Sequence, residues 1–451
     1  MPISLQRRGE REGALPGADN PFQAVPEAGA PRPRRRSRAW LIVGLLTVST
    51  ILNYLDRQSL SILAPFLRER LQITVSQYAH ITAGFLFAYS LMYAVSGWFV
   101  DRVGERIGMA ICIGWWSLCT MATALAAGAM SLGAARLLLG VGEPGNYPAA
   151  LKATAKWFPE EERGIPIALF SCGSSVGAVL APPLIAYTTI RFGWRSAFLL
   201  PGLIGLLWLV AWLRAYREPR EVVQAGPADP SIGKNTRVRW AELFRNRNVM
   251  ALVAARFLSD PVSYFCAFWI PEYLKRARGF SIADIGRYGW IPYLAGAAGG
   301  MLGGRMSDQL IRWGMSPVKA RIVVLCAAAA LAPLAIFTNR VPSAGASIAI
   351  LSVLMFVVFC WFINTAAIIP DIASDHLTGS ILGIIGSAGS MSGFFFMLVV
   401  GSLVVRTSSF NSVFAIIGLL HIAAGLVLWR IVWRRPSEPR QASFLVKHEK
   451  A

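Results

Sequence analysis

Charge is scarce in this chain. Of 451 residues only 24 are aspartate or glutamate, and charged residues of both signs make up 15%, against about 25% in a soluble domain. Histidine is scarcer still, with four in all, and the six cysteines have no metal-like or disulfide-like spacing. No metal site is expected, and a buried cysteine reads as a small hydrophobe. A Gly-x-x-x-x-Gly-Lys-Ser/Thr phosphate loop is absent, so no nucleotide motor is expected. No catalytic constellation or cofactor motif appears either, which reads as a protein that is not an enzyme. Residues 1–38 lack the apolar core of a cleaved signal peptide. The first apolar segment is expected to serve as its own uncleaved targeting signal.

Apolar residues are what the chain has in excess: 55% of the total, with a mean hydropathy of +0.50. They fall in long blocks. Residues 39–55 read AWLIVGLLTVSTILNYL, and Ile348 to Ile369 includes no charged side chain. Blocks of about 20 apolar residues match the thickness of a bilayer core. The formal net charge of +20 would suit a nucleic acid, but the lysines and arginines gather in the tails and in particular loops. That distribution marks membrane topology, and no nucleic-acid partner is expected.

The fold class read from these blocks is all-α and integral to the membrane, with twelve transmembrane helices in two six-helix halves. Spans are expected near 39–64, 78–100, 107–127, 130–154, 164–189 and 195–215, then near 249–274, 283–308, 320–338, 343–369, 378–404 and 410–433. The domains that follow are a disordered basic tail (1–38), an N-terminal half (39–215), a central loop (216–248), a C-terminal half (249–433) and a second tail (434–451). Tails and central loop are basic, and an even number of spans puts all three on the cytoplasmic side. The reading is a multi-pass membrane protein whose surroundings are lipid.

The chain also repeats itself. Residues 97–106 read GWFVDRVGER and residues 304–314 read GRMSDQLIRWG, so Asp101 and Asp308 each follow a glycine by four positions. Pro65 in LAPFL and Pro271 in WIPEYL are separated by nearly the same offset as the two aspartates. Two landmarks with one offset make the halves a duplication.

The loop Gly-x-x-x-Asp-Arg-x-Gly-x-Arg, present as Gly97, Asp101, Arg102, Gly104 and Arg106, resembles the signature of the major facilitator superfamily. Within it the chain is similar to the anion:cation symporter family. The resemblance rests on NYLDRQSLSILAP (53–65), ARLLLGVGEPGNYPAALKATAKWFPEEERG (135–164), GSSVGAVLAPPL (173–184), GWRSAFLLPG (193–202), RFLSDP (256–261), FWIPEYLKRARGFS (268–281) and WIPYLAG (290–296). The last three segments look most like the hexuronate branch. The resemblance implies the major facilitator fold and alternating access, with a substrate site near the midplane. It also implies symport of a small organic anion with protons and, together with the absence of a cleaved signal, a place in the bacterial cytoplasmic (inner) membrane; a monomer is expected.

Four ionisable residues inside spans of the first half stand out: Asp56, Arg57, Arg136 and Glu143. Such groups are costly in a membrane and mark function or pairing. Arg136 and Glu143 lie two helical turns apart, on one face. Arginine can fork onto a carboxylate, and a buried acid can carry a proton. The resemblance implies proton coupling by Asp56 and Glu143, and an anion site lined by Arg57, Arg136 and Tyr89. Ser174 stands where galactonate-type carriers have glutamine, which leaves more room. A static ion-pair network locking spans 1 and 4 fits the same residues.

Asn146, Tyr147, Asn364 and Ser390 are further candidates for sugar hydroxyls, although small polar residues also pack helices together. Arg256 and Asp260, one turn apart, could contact substrate or pair locally. Asp101, Arg102 and Arg106, with Asp308 beside Arg312 and Arg321, are expected to form bridges remade as the halves rock. Rival readings are a carrier of another anion (aldonate, glucarate, tartrate or an aromatic acid), a drug/proton antiporter, and a ligand sensor. A drug carrier would lack paired cavity arginines, and a sensor would carry a soluble signalling domain.

Overall fold

A computed structural model describes residues 33–159, 162–217, 240–372 and 375–433. The first half consists of α1 (Pro33–Arg70), α2 (Val75–Val103), α3 (Glu105–Thr123), α4 (Ala129–Gly142), α5 (Asn146–Trp157), α6 (Gly164–Phe192) and α7 (Ser196–Ala215). The second consists of α8 (Trp240–Arg245), α9 (Arg247–Arg278), α10 (Ile282–Tyr288), α11 (Ile291–Arg312), α12 (Pro317–Ala329), α13 (Ala344–Ile372), α14 (Asp375–Thr407) and α15 (Asn411–Leu428). Among the described residues nine helices are long and apolar enough to cross a membrane. The other three expected spans correspond to α3, to α4 with α5, and to α10 with α11.

Local chemistry sets the joints. Thr74 caps α2 by accepting from Gln77 N, and Gln77 Oε1 accepts from Thr74 N in return. Gly104 turns the chain between α2 and α3 at φ +81°, a conformation that excludes most side chains. Span 4, read as one helix, is broken: Glu143–Gly145 form a 3-10 turn between α4 and α5. Pro144 has no N–H to continue the α ladder and its ring crowds the preceding turn. Span 9 ends likewise in a 3-10 stretch, Ala332–Phe337, that includes Pro333. Pro65 and Pro271, read as the ends of spans 1 and 7, lie inside α1 and α9, which run on to Arg70 and Arg278. Helix α1 already begins at Pro33, within the segment read as tail. Residues 1–32, 218–239 and 434–451, which make up most of the expected tails and central loop, lie outside the described residues.

Inside each half the helices pack in pairs, α1 on α6, α2 on α4 and α3 on α7 in the first, and α11 on α13 and α9 on α15 in the second. Between halves, α1 meets α9, α2 meets α14, and α6 meets α10 and α11. The second and third contacts exchange under the repeat, since spans 2 and 8 correspond, as do 5 and 11. Outward faces are strongly apolar, with Leu125, Met301 and Leu207 among many large exposed side chains. A soluble monomer does not expose apolar surface on that scale; lipid covers it. The protein is a multi-pass membrane protein.

Candidate functional site

Four ion pairs and hydrogen bonds join the halves among the described residues, all well away from the Asp101 loop. At the ends of α1 and α9, Arg68 pairs with the fully buried Glu272, and Lys275 Nζ meets Glu69 Oε1 at 2.6 Å while sitting over the Phe66 ring. Further in, Tyr78 Oη donates to the Phe268 carbonyl at 2.6 Å, and Ser90 Oγ to the Ser387 carbonyl at 2.7 Å. The halves are therefore clasped at the end distant from Asp101. At the Asp101 end the charged contacts stay within one half. Lys152 pairs with Asp101 at 3.1 Å, Arg106 donates to the Leu213 carbonyl, and Arg102 lies over the Trp98 ring. Arg321, expected beside Asp308, pairs instead with Asp371 at the end of α13.

Between clasp and loop lies the charged cluster. Arg57, on α1, directs Nη2 and Nε at a single oxygen of Glu143, Oε2, at 2.7 and 3.1 Å. The break at Pro144 puts Glu143 at the foot of α4, facing α1. The Arg57 guanidinium is also boxed by aromatic rings, those of Tyr89 at 4.6 Å, Tyr54 at 5.3 Å and Phe85 at 5.7 Å. Such contacts contribute about 0.5–2 kcal/mol each and fix the position of the guanidinium. Arg136, almost fully buried on α4, donates Nη1 to the main-chain carbonyl of Asp56 and lies over Phe198.

Several polar atoms here have no hydrogen-bond partner: Nε and Nη2 of Arg136, both carboxylate oxygens of Asp56, and Oε1 of Glu143. Buried polar atoms are almost always partnered, so this density of uncommitted donors and acceptors marks a site made for something else. A narrow crevice, too tight in this clasped arrangement to admit a water molecule, touches it, lined by Arg57, Leu60, Thr82, Phe85, Arg136 and Phe268. Its walls come from α1, α2 and α4, and Phe268 of α9 closes it from the second half. Two cations facing one cavity can hold a carboxylate; two acids beside them can exchange protons.

The remaining candidates are spread out. Asn146 is engaged between α5 and α1, accepting from Ser49 Oγ at 3.0 Å and donating to Thr50 Oγ1 at 3.3 Å. Tyr147 stands edge-on to Phe170, and Ser174 Oγ donates to the Ser171 carbonyl. Asn364 donates to the Cys360 carbonyl and its amide packs against Gly303 of α11. Ser390 is within 2.9 Å of Tyr264 Oη. Arg256 and Asp260 form a two-pronged pair on α9 at 2.7 and 2.9 Å. Tyr54, Thr82, Phe85 and Phe268, all at the charged cluster, are absent from the sequence-based site. Tyr54 precedes Arg57, and Phe85 precedes Tyr89, by one helical turn, a spacing that places each pair on one face. Phe268 had no such signal, because only the docking of the halves brings it there.

The comparisons agree with this geometry. Residues 46–397 match the model of the Major Facilitator Superfamily. The chain is 30% identical over 417 residues to a hexuronate transporter of Escherichia coli, covering 88% of this chain and 95% of that one. It is 30% identical over 428 residues to a probable galactarate/D-glucarate transporter of Bacillus subtilis, covering 89% and 93%. The crystal structure of a D-xylose-proton symporter superposes with a TM-score of 0.69 at 18% identity, covering 87% of this chain and 97% of that one. With the duplicated halves, the signature loop and the family match in agreement, the chain belongs to the major facilitator superfamily.

Proposed function

We propose that this protein carries a small organic anion, a sugar acid of the hexuronate class, into the cell together with protons. It works as a monomer in a bacterial cytoplasmic membrane with both termini inside. The observation that carries the reading is the uncommitted Nε–Nη2 edge of Arg136 beside Arg57, at a narrow crevice between the halves. That edge has the spacing of a carboxylate's two oxygens. The resemblance to a hexuronate transporter supports the substrate class.

The cycle follows from who holds Arg57. With the carrier open to the outside, Asp56 and Glu143 hold protons, and a neutral Glu143 leaves the Arg57 guanidinium open to the anion. The anion binds across Arg57 and Arg136, and the halves rock to the clasped arrangement. Proton loss to the cytoplasm restores the Glu143 carboxylate, which takes back Arg57 as in the present structure. The anion, deprived of one cation, leaves. Asp101, Arg102, Arg106 and Asp308, at the ends of α2, α3 and α11, act where the inner face opens and closes, and the Lys152–Asp101 bond anchors the first of these helix ends.

The test is uptake of labelled galacturonate into proteoliposomes with and without an inwardly directed proton gradient. Gradient-driven accumulation is expected. Folded protein that takes up no sugar acid under either condition overturns the assignment of substrate.

A further inference from the structure

On α9, Arg256, Asp260 and Tyr264 recur every four residues and so form one stripe. Arg256 grips both oxygens of Asp260, through Nε and Nη2, and both residues are nine-tenths buried or more. Asp260 Oδ2 occupies the place that a Cβ on Gly389 of α14 would take. Tyr264 Oη is bonded to Ser390. Arg256 Nη1 reaches only Thr365 Oγ1, at 3.5 Å, while its guanidinium lies over the Phe362 ring. Asp260 and Tyr264 thus meet α14 at Gly389 and Ser390, next to where α14 meets Tyr93 and Ser90 of α2 through Gly386 and the Ser387 carbonyl.

This pair ties α9 to no other helix by charge, because both partners belong to α9. Desolvating two charges is expensive, and a helix-internal bridge returns little. A buried pair that adds no charge contact between helices, beside the seam where α14 meets α2, suits a ligand better than a scaffold.

We propose that Asp260 determines specificity by neutralising Arg256, so that the second-half wall accepts the hydroxyl-bearing end of a monocarboxylate and refuses a second carboxylate. The inference rests on the sugar-acid reading above. With the substrate's carboxylate held by Arg57 and Arg136, a hydroxyl at the other end donates to an Asp260 oxygen and accepts from Arg256 Nη1. A carboxylate at that end faces the Asp260 charge instead, and Arg256 is already engaged. Discrimination here rests on withholding a cation from the second carboxylate, which would otherwise be buried unpaired.

Galacturonate and galactarate test this, since the far end is a ring hemiacetal hydroxyl in the first and a second carboxylate on an open chain in the second, and the variants are read by how the preference between the two changes. Reconstituted wild type, Asp260→Asn and the double variant Arg256→Gln/Asp260→Asn are compared for uptake of each labelled acid and for competition between them. In wild type, galactarate is expected to compete about tenfold or more less well than galacturonate. Asp260→Asn uncovers Arg256, so its preference falls at least about tenfold and labelled galactarate enters. The double variant, with no free cation, excludes galactarate again. Asp260→Asn that still takes galacturonate yet keeps the wild-type preference overturns the inference alone. If Asp260→Asn does not fold, the double variant decides. It carries no unpaired charge, so galactarate uptake by it overturns the inference and continued exclusion sustains it. Wild type that takes neither acid overturns the sugar-acid reading, and this inference with it.

Discussion

Arg136 reaches from α4 to α1 and donates Nη1 to the main-chain carbonyl of Asp56 at 3.1 Å, which leaves the opposite edge of its guanidinium without a partner. The bond to a carbonyl, rather than to the Asp56 carboxylate, matters. It orients the fork without neutralising it. Lysine has no planar fork, so Arg136→Lys is expected to keep the fold and weaken substrate binding by about 10- to 100-fold, the value of one charge-assisted hydrogen bond of about 1.5–3 kcal/mol. Competition for labelled galacturonate measures it. Unchanged affinity would mean that Arg136 only braces α1 against α4.

The two acids divide driving force from binding. Asp56→Asn and Glu143→Gln are expected to abolish accumulation driven by an acid exterior while substrate–substrate exchange across the bilayer continues. Glu143→Gln also frees Arg57 from its ionised partner, so exchange in that variant loses its dependence on pH. Full gradient-driven uptake in both variants would leave the pairing as a static lock between α1 and α4.

Of the two ion pairs in the clasp, one is buried and one is wet. Glu69 is largely exposed, and a pair of that kind contributes about 0–1 kcal/mol. Glu69→Gln should therefore change transport little. Glu272→Gln breaks a pair whose carboxylate is fully enclosed, where removing one partner costs about 3–5 kcal/mol, and the loss falls on the clasped state. With the native cysteines replaced and Thr82→Cys as a reporter in the cavity, a membrane-impermeant maleimide added outside should label the Glu272→Gln protein faster. Equal labelling in both variants would remove the buried pair from gating.

Helix α6 lies so close to α1 that a Cβ on Gly173 would meet the Thr47 carbonyl at 2.7 Å, and one on Gly177 the Ile51 carbonyl at 2.7 Å. The obstacle is backbone, which cannot swing aside. Gly173→Ala and Gly177→Ala are each expected to destabilise by about 1–3 kcal/mol, as overpacking does, and to lower the thermal midpoint in detergent. A midpoint equal to wild type would show that the two helices separate freely.

Much of the site is legible in the amino-acid sequence. Asp56, Arg57, Arg136 and Glu143 stand out because a charge in an apolar run is costly and marks function or pairing, and the structure gathers all four. The hydroxyl and amide candidates are not separable in that way. Asn146 and Asn364 look alike in sequence, each a small polar residue in an apolar segment, yet the first is engaged between α1 and α5 and the second packs against α11. The bridge expected between Arg321 and Asp308 depends on which carboxylate a flexible side chain reaches, and Asp371 is the one within reach.

The amino-acid sequence alone determined the membrane environment and the duplicated helical halves, because hydrophobic run length and repeat offset are properties of the chain itself. It likewise determined that two arginines and two acids lie within the first half. Only the tertiary structure decided that Glu143 holds Arg57 while Arg136 keeps a free edge, that Phe268 closes the cavity, and that the clasp forms between Arg68, Glu69, Glu272 and Lys275. Those are contacts between helices far apart in the chain. Their geometry is set by how the halves dock, and no local pattern encodes that docking.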